Sequence, residues 1–296
     1  MDAHRIAVEQ VRFIVGSKTV YQLRVLFALT NNKCIFEDVK LREWGGGFVV
    51  AKRAVQLLMQ EAPRGQPLDP AMLRNLGISP AQTHYLVTAG WLQRLSKGAY
   101  LLRGDVPTTE GILMYLGRHI AGLHVGGKTA LDWQGVRHNV AFRPRITLWG
   151  LQAYRFPAWV KQHMHHTYQT TRLFDDQFSL SDCLRPLPLK NSSVLVSIPE
   201  LALLELASDI GKRGEKGQSL EEALHLADSL RNLRADRLLG LLRRCTRVKV
   251  VRLVRDLGES SGHEWGRELR VTANQLSPST RWSAREEGGR RLTLKP

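Results

Sequence analysis

The chain has 296 residues, 43% of them apolar, which is enough for two domains with separate cores and too apolar for a disordered chain. Its net charge is +16 with a pI near 10.3, a field that attracts polyanions, of which nucleic acid is the commonest. It lacks the run of roughly 18 apolar residues that a membrane span needs, and MDAHRIAVEQ lacks a secretory core; three widely spaced cysteines (Cys34, Cys183, Cys245) form neither a disulfide framework nor a zinc signature, so a reducing cytoplasm is expected.

Residues 1–48 form an N-terminal extension in which VEQVRFIVG and VYQLRVLFALT each read as a short helix or strand, before Gly45-Gly46-Gly47. From Phe48 the pattern sharpens. VVAKRAVQLLMQEA has the apolar spacing of a helix, with Val50, Ala54, Leu57 and Leu58 on one face. Asp69-Pro70 and Ser79-Pro80 each pair an N-cap with a first-turn proline, and Gly77 and Gly90 close the two short helices that follow. WLQRLSKGAYLL then reads as two strands around Ser96-Lys97-Gly98. Three helices and a hairpin predict a winged helix-turn-helix over 49–104.

In such a module the third helix enters the major groove and the wing touches phosphate. With Leu86, Val87 and Trp91 assigned to the core, Gln82, Thr83 and His84 are expected on the exposed face, and Ser79 at the helix N-terminus beside a phosphate. Gln reads adenine and Thr contacts a thymine methyl. Arg94 and Lys97 on the wing, with Lys52, Arg53, Arg64 and Arg74, are candidate phosphate contacts. Residues 51–104 carry seven Lys or Arg against two Asp or Glu, whereas 206–296 carry nineteen against twelve. A winged helix used only for protein contact is the alternative.

The remainder, 105–296, is expected to be a larger mixed α/β domain, so the fold class is α+β. A helix capped by Thr108 or Thr109 leads to a strand-like LHVGG and the helix KTALDWQG. PRITLWG, HHTYQTTRLF and SVLVSI supply further strands, rich in β-branched or aromatic residues. PELALLELASDI, SLEEALHLADSL, RADRLLGLLRRC and VKVVRLVRDLGES are helices, the second opened by a Ser219–Glu222 capping box, and the tail from Ser277 is polar and Arg-rich.

Three motifs in this part invite chemistry. Gly122–Thr129 matches GxxxxGK[ST], but the residues before it look helical and SVLVSIPE holds no magnesium-binding Asp, so a turn needing small residues is the better reading. His163, His165 and His166 have no suitably spaced carboxylate or Cys, and Asp175-Asp176 suits a turn better than a metal pair. Arg243, Arg244, Arg247 and Lys249, continued by Arg252 and Arg255, form a basic stripe fit for a partner, for DNA backbone or for solvent.

GISPAQTHYLVTAGWLQRLSKGAYLL, PTTEGILMYL and GLHVGGKTALDWQG, followed by SIPELALLELA, SLEEALHLADSL and CTRVKVVRLV, resemble the AbiEi antitoxins of type IV toxin–antitoxin systems in content and order, from Ala51 to Trp265. Residues 1–48 precede the family's usual start, and the tail beyond Gly266 departs from its ending. The resemblance implies a non-enzymatic autorepressor without a cofactor, whose winged helix binds inverted repeats in its own promoter. It also implies neutralisation of an AbiEii-like nucleotidyltransferase toxin. The rival readings are a DNA-binding regulator with no toxin, a nucleotide hydrolase at Lys128-Thr129, and a metal nuclease at Asp175-Asp176.

Overall fold

The computed structural model describes side chains for residues 53–136, 145–187, 193–212, 214 and 217–269. Outside these it describes backbone alone, at 7–14, 20–27, 29–30, 33–34, 47–52, 282–285 and 291–294. The chain divides into two units, 1–53 and 54–296. In the first, β1 (Ala7–Ile14) pairs antiparallel with β2 (Val20–Phe27), and β3 (Leu29–Thr30) pairs with β4 (Lys33–Cys34). The two segments that sequence left between helix and strand are therefore strands. Helix α1 (Gly47–Glu61) leads into the second unit.

There, α2 (Pro70–Asn75) and α3 (Pro80–Thr88) begin where their caps dictate: Asp69 Oδ1 accepts from Met72 N at 2.8 Å, and Ser79 Oγ from Gln82 N at 3.3 Å. Strands β5 (Leu92–Ser96) and β6 (Ala99–Leu102) form the wing, closed at Gly98 with φ +76°, a conformation glycine adopts without strain. Ala54, Leu58, Leu68, Leu73, Ile78, Leu86, Leu92 and Leu102 form a small core between helices and wing.

The larger part begins with α4 (Thr109–Gly117), capped by Thr108, then β7 (His124–Val125) and α5 (Gly127–Trp133). It continues through β8 (Ile146–Trp149), α6 (Ala158–His163), β9 (His166–Gln169), a 3-10 turn at Leu180–Cys183, β10 (Leu184–Pro186) and β11 (Leu195–Ser197). The five strands lie in the order β10-β11-β7-β8-β9, with β11–β7 and β8–β9 parallel and the other two pairs antiparallel. Helix α7 (Pro199–Asp209) is buried at every residue from Glu200 to Asp209, as its nearly all-round apolar sequence requires. It packs against α5, α8 (Leu220–Ser229), α9 (Ala235–Arg244) and α10 (Val248–Ser261). In the tail, which sequence left without elements, β12 (Trp282–Arg285) and β13 (Arg291–Leu294) pair antiparallel.

The two cores meet at the wing. Ala99 belongs to the larger core, Trp159 Nε1 of α6 donates to Ser96 Oγ at 3.1 Å, and the Tyr115 ring of α4 stands edge-on to Trp159. Arg118, just past α4, binds Asp69 Oδ2 at 2.6 Å and Pro67 O at 3.2 Å. One carboxylate thus caps α2 and ties it to the larger core.

Candidate nucleic-acid interface

Helix α3 turns a narrow polar strip outward. Ala81, His84, Tyr85 and Thr88 are exposed, Tyr85 at 44%, at the i, i+3, i+4 spacing of a single face. Two of the expected readers stand elsewhere. Thr83 is 8% exposed and its hydroxyl donates to Ser79 O at 3.0 Å, so it is buried off the outer strip. The Gln82 amide oxygen accepts from Ser79 N at 2.7 Å, completing a reciprocal capping box. His84 is exposed as expected, whereas Tyr85 and Thr88 were missed. Their signal was the four-residue step from Ala81 and His84, obscured in a helix of nine residues with little amphipathic contrast.

The charge around this strip has one sign. Between Ala62 and Gly104 the only acid is Asp69, which is buried and held by Met72 N and Arg118. Arg74, Arg94, Lys97 and Arg103 are exposed and form no ion pair among the described residues. Arg64 instead binds Asp105, Nε to Oδ1 at 2.9 Å. Arg53 is exposed on α1, and the Lys52 side chain lies outside the described residues. A cleft of about 190 Å³ opens between α2, α3 and the wing, with Ile78, Val87 and Tyr100 beneath and Arg74, His84 and Arg94 among its lining.

The basic stripe is not a continuous solvated face. A break at Cys245–Arg247 separates α9 from α10, and several of its cations turn inward. Lys249 Nζ donates to Ser208 O at 3.0 Å and to Ile210 O; burial, with Lys212 nearby, pushes its pKa down to about 8. Arg252 and Arg255 are buried. Arg244 donates to Gln177 Oε1 at 2.8 Å and meets Asp175 at 3.3 Å, while Arg247 Nε donates to Arg172 O at 3.0 Å. Arg243 is exposed.

The Gly122–Thr129 turn is built around a carboxylate of the chain itself. Glu205, 1% exposed, accepts from Gly127 N at 2.8 Å and from Ser197 Oγ at 2.9 Å, and its other oxygen lies 2.7 Å from His124 Nε2. His124 Nδ1 lies 2.7 Å from Gly122 O, so both ring nitrogens meet protein oxygens. The backbone amide that would cradle a phosphate already holds an anion, and Lys128 pairs with Glu222. The Asp175–Asp176 loop borders a second cleft of about 440 Å³, and its acids pair with Arg244 and Arg172. His163 and His165 are exposed and His166 packs on Phe156; among the described residues no three metal-ligating side chains converge.

Comparison with known proteins divides the chain at residue 142, within the larger part. Residues 51–142 match the profile described as the N-terminal domain of the AbiEi antitoxin transcriptional regulators. Residues 143–295 match that of the transcriptional regulator itself, an AbiEi antitoxin of type IV toxin–antitoxin systems. No curated protein matches. Among solved structures, the RV2827C protein of Mycobacterium tuberculosis superposes with a TM-score of 0.51 at 18% identity, over 78% of this chain and 83% of that one, a likeness of fold. Among the described residues no helix is long and apolar enough to cross a membrane.

Proposed function

The chain belongs to the AbiEi antitoxin family of transcriptional regulators of type IV toxin–antitoxin systems, and from that membership we propose that it represses its own operon by binding inverted repeats with its winged helix. The observation that carries this reading is the outward strip of α3 set beside exposed cations with no exposed acid from Ala62 to Gly104. Tyr85 and Thr88 meet the base edges, with Ala81 against a thymine methyl, while Arg74, Arg94, Lys97 and His84 take phosphates. Ser79 and Gln82 hold the helix start in shape. Affinity is dominated by counterion release and falls steeply with salt.

The larger domain neutralises a partner toxin, for which a nucleotidyltransferase is the family expectation, and the protein acts in the cytoplasm as a binder rather than a catalyst. The filled amide at Gly127 and the paired acids at Asp175 and Asp176 support the last point. A gel shift of the full chain on its own upstream region, against scrambled competitor, tests the repressor reading. A complex that resists competitor is expected, and equal binding to both duplexes refutes operator recognition. Co-expression with the downstream reading frame tests neutralisation: growth rescue is expected, and continued toxicity refutes it.

A further inference from the structure

We propose that the cleft between α2, α3 and the wing is a seat for one DNA phosphodiester, clamped by Arg74 and Arg94 with His84 as a third donor; this rests on the DNA-binding reading above. The three side chains come from three separate elements, α2, β5 and α3, yet line one cavity. No acid lines it, and neither arginine forms an ion pair among the described residues. Arg94 Nε donates to Ser96 O at 3.4 Å, which leaves its terminal nitrogens, like the Arg74 guanidinium, unmatched by a carboxylate and available to a phosphate.

Size narrows the occupant. At about 190 Å³ the cleft lies below the roughly 300–1,000 Å³ of sites that enclose a whole small molecule. A group projecting from a larger partner fits better than a free ligand. The floor of Ile78, Val87 and Tyr100 suits the deoxyribose that flanks a backbone phosphate. The seat adjoins the exposed strip of α3, so an anchored phosphate sets the register in which Tyr85 and Thr88 face the bases. Winged-helix backbone contacts are usually spread along the duplex; here Arg74 and Arg94 line one cleft, and a phosphate shared between them has a measurable signature.

The test is the salt dependence of binding, measured by fluorescence anisotropy with the full chain and a labelled duplex from its own upstream region. Arg74→Ala and Arg94→Ala are each expected to weaken binding about tenfold and to lower the slope of log K against log salt by about one. The double variant is expected to lower that slope by about one in total, because both residues neutralise a single phosphate. A total loss of about two would assign the arginines to separate phosphates and overturn the shared seat, as would unchanged slopes in the single variants. Both side chains are exposed, so unchanged melting temperatures serve as the folding control. A second arm follows the His84 side-chain resonance, which is expected to move with duplex and stay in place with inorganic phosphate. Saturable movement with phosphate alone would assign the cleft to a soluble anion and overturn the proposal. If the unmodified protein binds no duplex, the DNA reading falls and the seat with it; if it binds while both variants bind equally well, only the seat falls.

Discussion

Replacing Gly126 by alanine isolates the carboxylate at the centre of the larger core. Gly126 has φ −133° and ψ −176°, an extended conformation open to any residue, so the substitution carries no backbone penalty. The obstacle is space: an added Cβ would collide with Glu205 Oε2 and lie 2.6 Å from Trp149 Cδ1. That carboxylate accepts from Gly127 N, Ser197 Oγ and His124 Nε2, and it is enclosed on all sides. Pushing it aside breaks the bonds from Gly127 N and Ser197 Oγ to a buried carboxylate, which costs about 3–5 kcal/mol. The lower chain entropy of alanine in the unfolded state returns about 0.4–1 kcal/mol. A net loss of roughly 2–4.5 kcal/mol follows, less than the 5–15 kcal/mol typical of a folded protein, so the variant still folds. In melting temperature this is a drop of about 5–15 °C. Urea titrations followed by circular dichroism should show a lower midpoint with an unchanged slope. Gly240→Ala is the reference, because Gly240 lies on the exposed face of α9 and its Cβ meets nothing within 4 Å, and it should gain up to about 1 kcal/mol. If the two variants unfold within about 0.5 kcal/mol of each other, the reasoning about the Glu205 enclosure is refuted.

Three further outcomes are expected. Asp209 is pushed up from 3.8 to about 6, chiefly by burial and secondarily by Glu205, against the pull of Lys212 and Lys249. A folded value above the unfolded one means stability is full below pH 3.8 and falls as pH rises to about 6; Asp209→Asn should flatten that slope by up to roughly 3 kcal/mol, and an unaltered pH profile of urea midpoints would contradict it. Gln82→Ala should cost about 1 kcal/mol through the lost capping box while leaving discrimination between matched and scrambled duplexes intact; a selective loss on the matched duplex would restore Gln82 as a base reader. Trp159→Phe removes the indole hydrogen bond to Ser96 in the wing and should weaken duplex binding although α6 carries no proposed DNA contact; equal affinity in anisotropy titrations would show that the wing does not depend on that bond.

What could be read in advance was what local chemistry decides. Asp69-Pro70, Ser79-Pro80, Thr108 and Ser219 announce helix starts because each cap bonds an amide two or three residues away. The wing turn announced itself through Gly98. Long-range partners left no such mark. Glu205 meets His124 across 81 positions, and nothing near either residue predicts the other. The Gly126-Gly127 pair was legible as a turn needing small residues, but not the carboxylate that imposes the need. The arginine run from 243 to 255 looked like one stripe because its spacing suits a single helix. The break at Cys245–Arg247 and the burial of Arg252 and Arg255 depend on packing that spacing does not encode. Thr83 was misplaced for a related reason: in a nine-residue helix a shift of one position in the assumed buried face exchanges reader and core.

The tie between Asp69 and Arg118 limits how the protein can be recombined. A fragment cut at Gly104 would leave the α2 cap without Arg118, the wing turn without Trp159, and Ala99 facing water instead of the larger core. The proposed reading head is therefore not a transplantable cartridge. A chimera that exchanges the helices proposed to face the duplex has to carry α4 and α6 with them, or matched replacements for Arg118, Tyr115 and Trp159. Drift in any of those three side chains would also constrain which reading heads the same body can accept.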